Sequence, residues 1–144
     1  MKLHVEGAEL SSRITGYGDT WVDVGGVRHH GAVLLMPGHA VEAWPIDTFE
    51  ALQAEHFARL LERAPDVVLL GTGARLRFPH PRLTAGLASR RVGVEAMDTP
   101  AACRTFNVLA GEGRHVLAIL LPVQPASSPQ PVLNPSNGYV NVNS

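Results

Sequence analysis

Two stretches decide the fold: Asp66-Val67-Val68-Leu69-Leu70-Gly71-Thr72-Gly73-Ala74-Arg75 and Val92-Gly93-Val94-Glu95-Ala96-Met97-Asp98-Thr99-Pro100. Each is an apolar run that ends abruptly in residues suited to a turn or a helix cap. Asp98-Thr99-Pro100 reads as a helix start, because Asp or Thr accepts orphan amide protons and proline is tolerated in the first turn. A helix over Pro81–Arg90, another from Pro100 to near Gly111 and a strand His115–Leu121 complete the pattern. Strand, helix, strand, helix, strand over residues 66–121 predicts an α/β layer. The two runs, Val67–Leu70 and Val92–Met97, are expected as adjacent parallel strands in the sheet interior, since unbroken apolar runs suit strands covered on both faces. Right-handed crossovers set the helices against those faces. Ligands usually sit just past the carboxyl ends of such strands, so the loops after Leu70 and Met97 locate a candidate site.

Outward from this core, Arg13–Tyr17 and Trp21–Val24 read as short strands, and Val24-Gly25-Gly26-Val27 as a hairpin turn. Ala32–Met36 is an apolar run closed by Pro37-Gly38, and Ala40–Trp44 alternates loosely until Pro45. This meander either extends the main sheet or packs as a second one. Asp47-Thr48-Phe49-Glu50 is a capping-box pattern, with Asp47 expected to accept from the Glu50 amide. Phe49, Leu52, Phe57, Leu60 and Leu61 then form one helical stripe that Pro65 stops. The reading is a single three-layer α/β domain over residues 1–121, with a mixed, mostly parallel central sheet and an added β meander. Residues 122–144 hold five of the eleven prolines and no charged residue, the composition of a flexible tail.

At 144 residues with 45% hydrophobic and 17% charged, the chain is an ordinary globular protein. Its net charge of −1 gives no general attraction to nucleic acid, and no basic strip is interleaved with aromatics. The single cysteine, Cys103, excludes an internal disulfide. Acids interrupt the N-terminal segment, so it does not read as a secretory signal. No apolar stretch approaches the roughly 20 residues that span a bilayer. The expectation is a cytoplasmic protein without membrane insertion.

Gly71-Thr72-Gly73 after a strand invites a dinucleotide reading, but Leu76 stands where the third glycine belongs and no G-x-x-x-x-G-K follows. No cofactor is expected, and the glycines read as a turn that lets backbones approach closely. Arg75 and Arg77 either clamp a carboxylate or phosphate, or tie loops together internally. Arg75 is expected beside Asp98, partly exposed, with its main contacts inside the protein. Asp98 and Thr99 read first as caps. Cys103, early in its helix, is either a thiolate favoured by the dipole or a small core residue. Arg104 and Asn107 share its vicinity on the helix. No metal site is expected: His29 and His30 point to opposite faces of a strand, and the other histidines lack ligand spacing.

The segments Leu69–Arg75, Gly93–Thr99, Ala102-Cys103-Arg104-Thr105-Phe106-Asn107 and Glu112-Gly113-Arg114, with Trp44-Pro45, give the chain a specific likeness. It resembles the domain of unknown function 498 family over about residues 10–122. The resemblance implies a compact three-layer α/β domain with a mixed sheet. It also implies no established activity among bacterial members and a mitochondrial branch that binds protein partners during assembly of complex I (NADH dehydrogenase). The family pattern often has Tyr at the place of Phe106, and some mitochondrial members lack Arg at the place of Arg104, so neither position implies a shared catalyst. Two function classes follow. The leading one is a non-catalytic binding or assembly module with a protein partner, compatible with a homodimer and with service to a respiratory complex. Its rival is a small enzyme or anion-binding protein using a crevice near Gly71, Arg75, Asp98 and Cys103.

Overall fold

Gly25 and Gly26 turn the chain with φ of 58° and 82°, the two positive angles that a tight hairpin turn demands. They join β2 (Trp21–Val24) to β3 (Val27–His30), and β1 (Ile14–Tyr17) pairs antiparallel with the other side of β2. The meander is thus a sheet of its own. In this computed structural model the described residues are 12–125 and the strands β9 (Pro131–Asn134) and β10 (Gly138–Asn141).

The main sheet holds β4 (Val33–Leu35), β5 (Glu42–Ala43), β6 (Val67–Gly71), β7 (Gly93–Met97) and β8 (Val116–Leu120), in the order β5-β4-β8-β6-β7. β6 runs parallel to β7 and β8, whereas β4 runs antiparallel to β8 and β5. Two pairings are parallel and two antiparallel, so the sheet is mixed. Its helices are α1 (Ala54–Ala58), α2 (Pro81–Ala88) and α3 (Thr99–Gly111).

Alternation along the strands builds a core on each face. Leu117 and Ile119 of β8 with Val68 and Leu70 of β6 join Phe57, Leu60 and Leu87. Val116, Ala118 and Leu120 of β8 with Leu69 of β6 join Ala102, Cys103 and Phe106 of α3 and Ile14, Val22 and Val24 of the meander. The connectivity accounts for the split. The chain crosses from β6 outward to β7 through α2 and returns inward to β8 through α3. Two right-handed crossovers of opposite sense must lie on opposite faces.

Three expectations need correction. The run Val92–Met97 yields β7, parallel to β6 as expected, but β7 lies at the sheet edge rather than in the interior. Gly93 and Glu95 are exposed there. A carboxylate in mid-strand is the sequence signal of an edge, since an interior position would desolvate it. The capping box at Asp47 does not form: Thr48 occupies the cap without a side-chain bond, and Asp47 Oδ1 accepts from the Ala32 amide at 3.3 Å. The expected long helix is broken into a 3-10 turn Phe49–Ala51, α1 and a 3-10 segment Arg59–Arg63. Leu52 turns extended between the first two and buries its side chain. The capping box that does form is Gln53–His56, where α1 begins.

β9 and β10 pair antiparallel as a two-stranded ribbon. Much of the segment read as a flexible tail, and the first eleven positions of the expected domain, lie outside the described residues.

Candidate functional site

β6 and β7 are neighbours whose carboxyl ends lead to opposite faces of the sheet, the arrangement that ordinarily opens a ligand crevice. Here two buried threonines occupy it. Thr99 Oγ1 accepts from the Gly73 amide at 2.9 Å and donates to the Leu121 carbonyl at 2.7 Å. Thr72 Oγ1 lies 2.7 Å from the Arg75 carbonyl and 3.1 Å from that of Met97, and accepts from the Arg77 amide at 3.1 Å. These bonds knot the exits of β6, β7 and β8. The knot packs tightly against glycine at 71: a Cβ there would stand 3.0 Å from Thr99 Oγ1, 3.1 Å from Leu120 Cδ2 and 3.2 Å from Ala102 Cβ. The glycines therefore serve close approach, as their spacing implies.

Beside the knot opens a cleft of about 280 Å³. One wall is Asp47–Glu50, another the loop after β6, and the third the exit of β8 from Leu121 to Pro125. That exit is anchored by the Gln124 amide, which donates to the Asp19 carbonyl at 2.7 Å. Arg77 reaches across the cleft to an ion pair with Glu50, its guanidinium 4.3 Å from the centre of the Phe49 ring. The hydrogen bond from Arg77 holds the Glu50 carboxyl below its ordinary range, with a smaller contribution from the charge of Arg75. Arg75 itself is exposed and forms no ion pair among the described residues.

Of the sequence candidates, Thr72, Gly73, Arg75 and Arg77 line this cleft. Gly71, Asp98, Thr99, Cys103 and Asn107 serve the scaffold. Asp98 Oδ1 accepts from the Ala101 amide at 2.8 Å, the expected cap, and forms no ion pair with Arg75. Asn107 clamps the meander: its side chain accepts from the Ile14 amide at 2.9 Å and donates to the Ile14 carbonyl at 2.8 Å. Cys103 is buried, and burial pushes its thiol up to about 11, with Arg104 opposing weakly. Desolvation dominates there, and the buried thiol fits the core reading of Cys103 rather than the thiolate one. Arg104 projects to solvent.

Sequence reasoning missed Phe49, Glu50 and the Leu121–Pro125 wall. Phe49 and Glu50 were read as the start of a long helix. Their proximity to Arg77 depends on the break at Leu52, which no local pattern signals. Among the described residues, no three His, Cys, Asp or Glu gather as a metal site, and no helix is long and apolar enough to cross a membrane.

The fold and site define a small mixed α/β domain whose strand exits are locked by internal bonds. A family model described as a protein of unknown function (DUF498/DUF598) matches residues 14–121, and the chain belongs to that family. The bovine (Bos taurus) NADH dehydrogenase (ubiquinone) 1 alpha subcomplex assembly factor 3 is 34% identical over 115 residues, 78% of this chain and 62% of the relative. The chain thus spans about six tenths of that relative's length. A crystal structure of a Bordetella parapertussis protein is 40% identical with a TM-score of 0.72, covering 76% of this chain and 94% of that one. The solution structure of a Bordetella pertussis protein, described as a Mth938-like domain, is 33% identical with a TM-score of 0.72, covering 83% of this chain and 91% of that one.

Proposed function

We propose that this chain is a non-catalytic binding or assembly module that works through a protein partner, with service to a respiratory complex as the leading case. One observation carries the reading. The polar groups at the strand exits, where a substrate would need them, are engaged inside the protein: both threonine hydroxyls, the Asp98 carboxylate and the Arg77 guanidinium. The family relatives named as complex I assembly factors support a role in assembly. The scaffold in this reading is three-layered, with α1 and α2 on one side of the sheet and α3 with the meander on the other. Residence in the cytoplasm is part of it. A second reading, anion binding, draws on Arg75, which lines the cleft without an ion pair.

Two measurements separate them. Tagged protein purified from its native cells should bring down a partner at constant stoichiometry through successive columns. Titration of wild type and Arg75→Ala with citrate or phosphate, read by thermal shift, should stabilise neither. A saturable stabilisation seen only in wild type, with no co-purifying partner, would move the ligand-binding reading into first place.

A further inference from the structure

The loop between β6 and α2 presents two large apolar side chains to solvent, Leu76 at 48% and Phe78 at 74% exposure. A phenylalanine this exposed stands to lose most of its hydration cost on being covered. The loop that carries it is held on both sides. Thr72 bonds the Arg75 carbonyl and the Arg77 amide, Arg77 is tied to Glu50, and His80 Nδ1 accepts from the Arg82 amide at 3.1 Å to cap α2. Such a loop has little ordering cost left when a partner closes over it.

The segment that carries the apolar pair has charge of one sign, and the nearby carboxylate of Glu50 is taken up by Arg77. Residues 67–94 contain five arginines and no acid, so the remaining residues carry seven Lys+Arg against all 13 Asp+Glu. A chain of net charge −1 is therefore +5 over this stretch and −6 elsewhere, counting Lys, Arg, Asp and Glu. Arg75 and Arg82 flank the loop, both exposed and without an ion pair among the described residues. The chain's own residues 122–144 carry no charge and do not complement this surface.

We propose that Leu76 and Phe78 form the apolar centre, and Arg75 and Arg82 the basic rim, of a docking surface for an acidic peptide segment of a partner protein bearing a large apolar side chain. The segment seats its apolar side chain against Phe78 and its carboxylates on the guanidiniums, the division into apolar centre and charged rim usual at protein interfaces. This rests on the binding-module reading and specifies its face and the partner's chemistry.

The test selects binders from a random 12-residue peptide display library on the full chain. Enriched sequences should combine Asp or Glu with Leu, Phe or Trp. A synthetic peptide from that pool should lose about tenfold or more in affinity by fluorescence anisotropy against Phe78→Ser or Arg75→Glu. Both variants should keep the wild-type thermal midpoint, since the altered side chains are exposed. Binding should weaken as salt rises. Enrichment of neutral or basic peptides, no enrichment, or binding that both variants preserve would overturn the proposal. So would Phe78-dependent sedimentation with vesicles containing anionic lipid, which assigns the patch to a membrane surface, or Phe78-dependent self-association in analytical ultracentrifugation. If the partner co-purifying from native cells is retained by Phe78→Ser, the docking surface fails while the module reading stands. If no partner co-purifies with wild type, the module reading fails first.

Discussion

Thr99→Val replaces a hydroxyl by a methyl of nearly the same shape at a side chain that is 1% exposed. The change strands two buried groups, the Gly73 amide and the Leu121 carbonyl, which the hydroxyl joins at 2.9 Å and 2.7 Å. Leaving a buried donor or acceptor unpaired costs roughly 1–3 kcal/mol each. The added methyl recovers about 0.8 kcal/mol. The net expectation is a loss of about 1–5 kcal/mol, a large share of the roughly 5–15 kcal/mol that holds a domain folded. Urea unfolding followed by tryptophan fluorescence reads it as a lower midpoint with unchanged slope. With a slope of about 2 kcal/mol per molar, the midpoint should fall by about 0.5–2.5 M. Thr99→Ser, which keeps the hydroxyl, should lose about 1 kcal/mol, the value of a buried methyl. A loss below about 0.5 kcal/mol for Thr99→Val, within the range of ordinary surface changes, would refute the reasoning. The hydroxyl would then be free to serve a ligand, and the argument against chemistry at the strand exits would weaken.

Cys103 has its thiol raised from 9.0 to about 11. The fold favours the neutral thiol, so this stabilisation is complete below about pH 9 and is lost as pH rises through about 11, a difference of about 3 kcal/mol. Wild type should therefore lose more stability than Cys103→Ala between those values, and equal slopes for the two proteins would refute the assignment. Gly71→Ala forces a Cβ to within 3.0 Å of Thr99 Oγ1 and should cost about 1–3 kcal/mol in urea unfolding; an unchanged midpoint would show that the knot yields freely. Truncation after Pro125 keeps the bond between the Gln124 amide and the Asp19 carbonyl and should shift the thermal midpoint by no more than about a degree or two. A drop of several degrees would show that the removed residues dock on the domain.

Local signals were read correctly where one short segment sets the outcome. The Gly25-Gly26 turn, the Asp98 cap and the stop at Pro65 each depend on a few adjacent residues, and they stand where the residues put them. The parallel pairing of β6 and β7 was legible because an intervening helix leaves strands little other choice. The edge position of β7 was misread, although Glu95 signalled it. The long helix was misread because Phe49, Leu52 and Phe57 keep helical spacing whether or not the helix is continuous.

The sequence by itself determined the α/β class, the loop after β6 as one wall of the cleft and the concentration of arginine in an acid-free stretch. Only the tertiary structure decided how those groups are used. Thr72 and Thr99 are 27 positions apart, and their hydroxyls face one set of strand exits because β6 and β7 lie side by side. Arg77 pairs with Glu50 across 27 positions, and Asn107 clamps Ile14 across 93. Hydrogen bonds and ion pairs act over a few ångströms, whereas neighbouring positions in sequence fix only local geometry. Which distant groups fall within that reach is set by the order of strands and the faces on which helices pack. That is why the candidates named from sequence divided between cleft and scaffold only once the chain was folded.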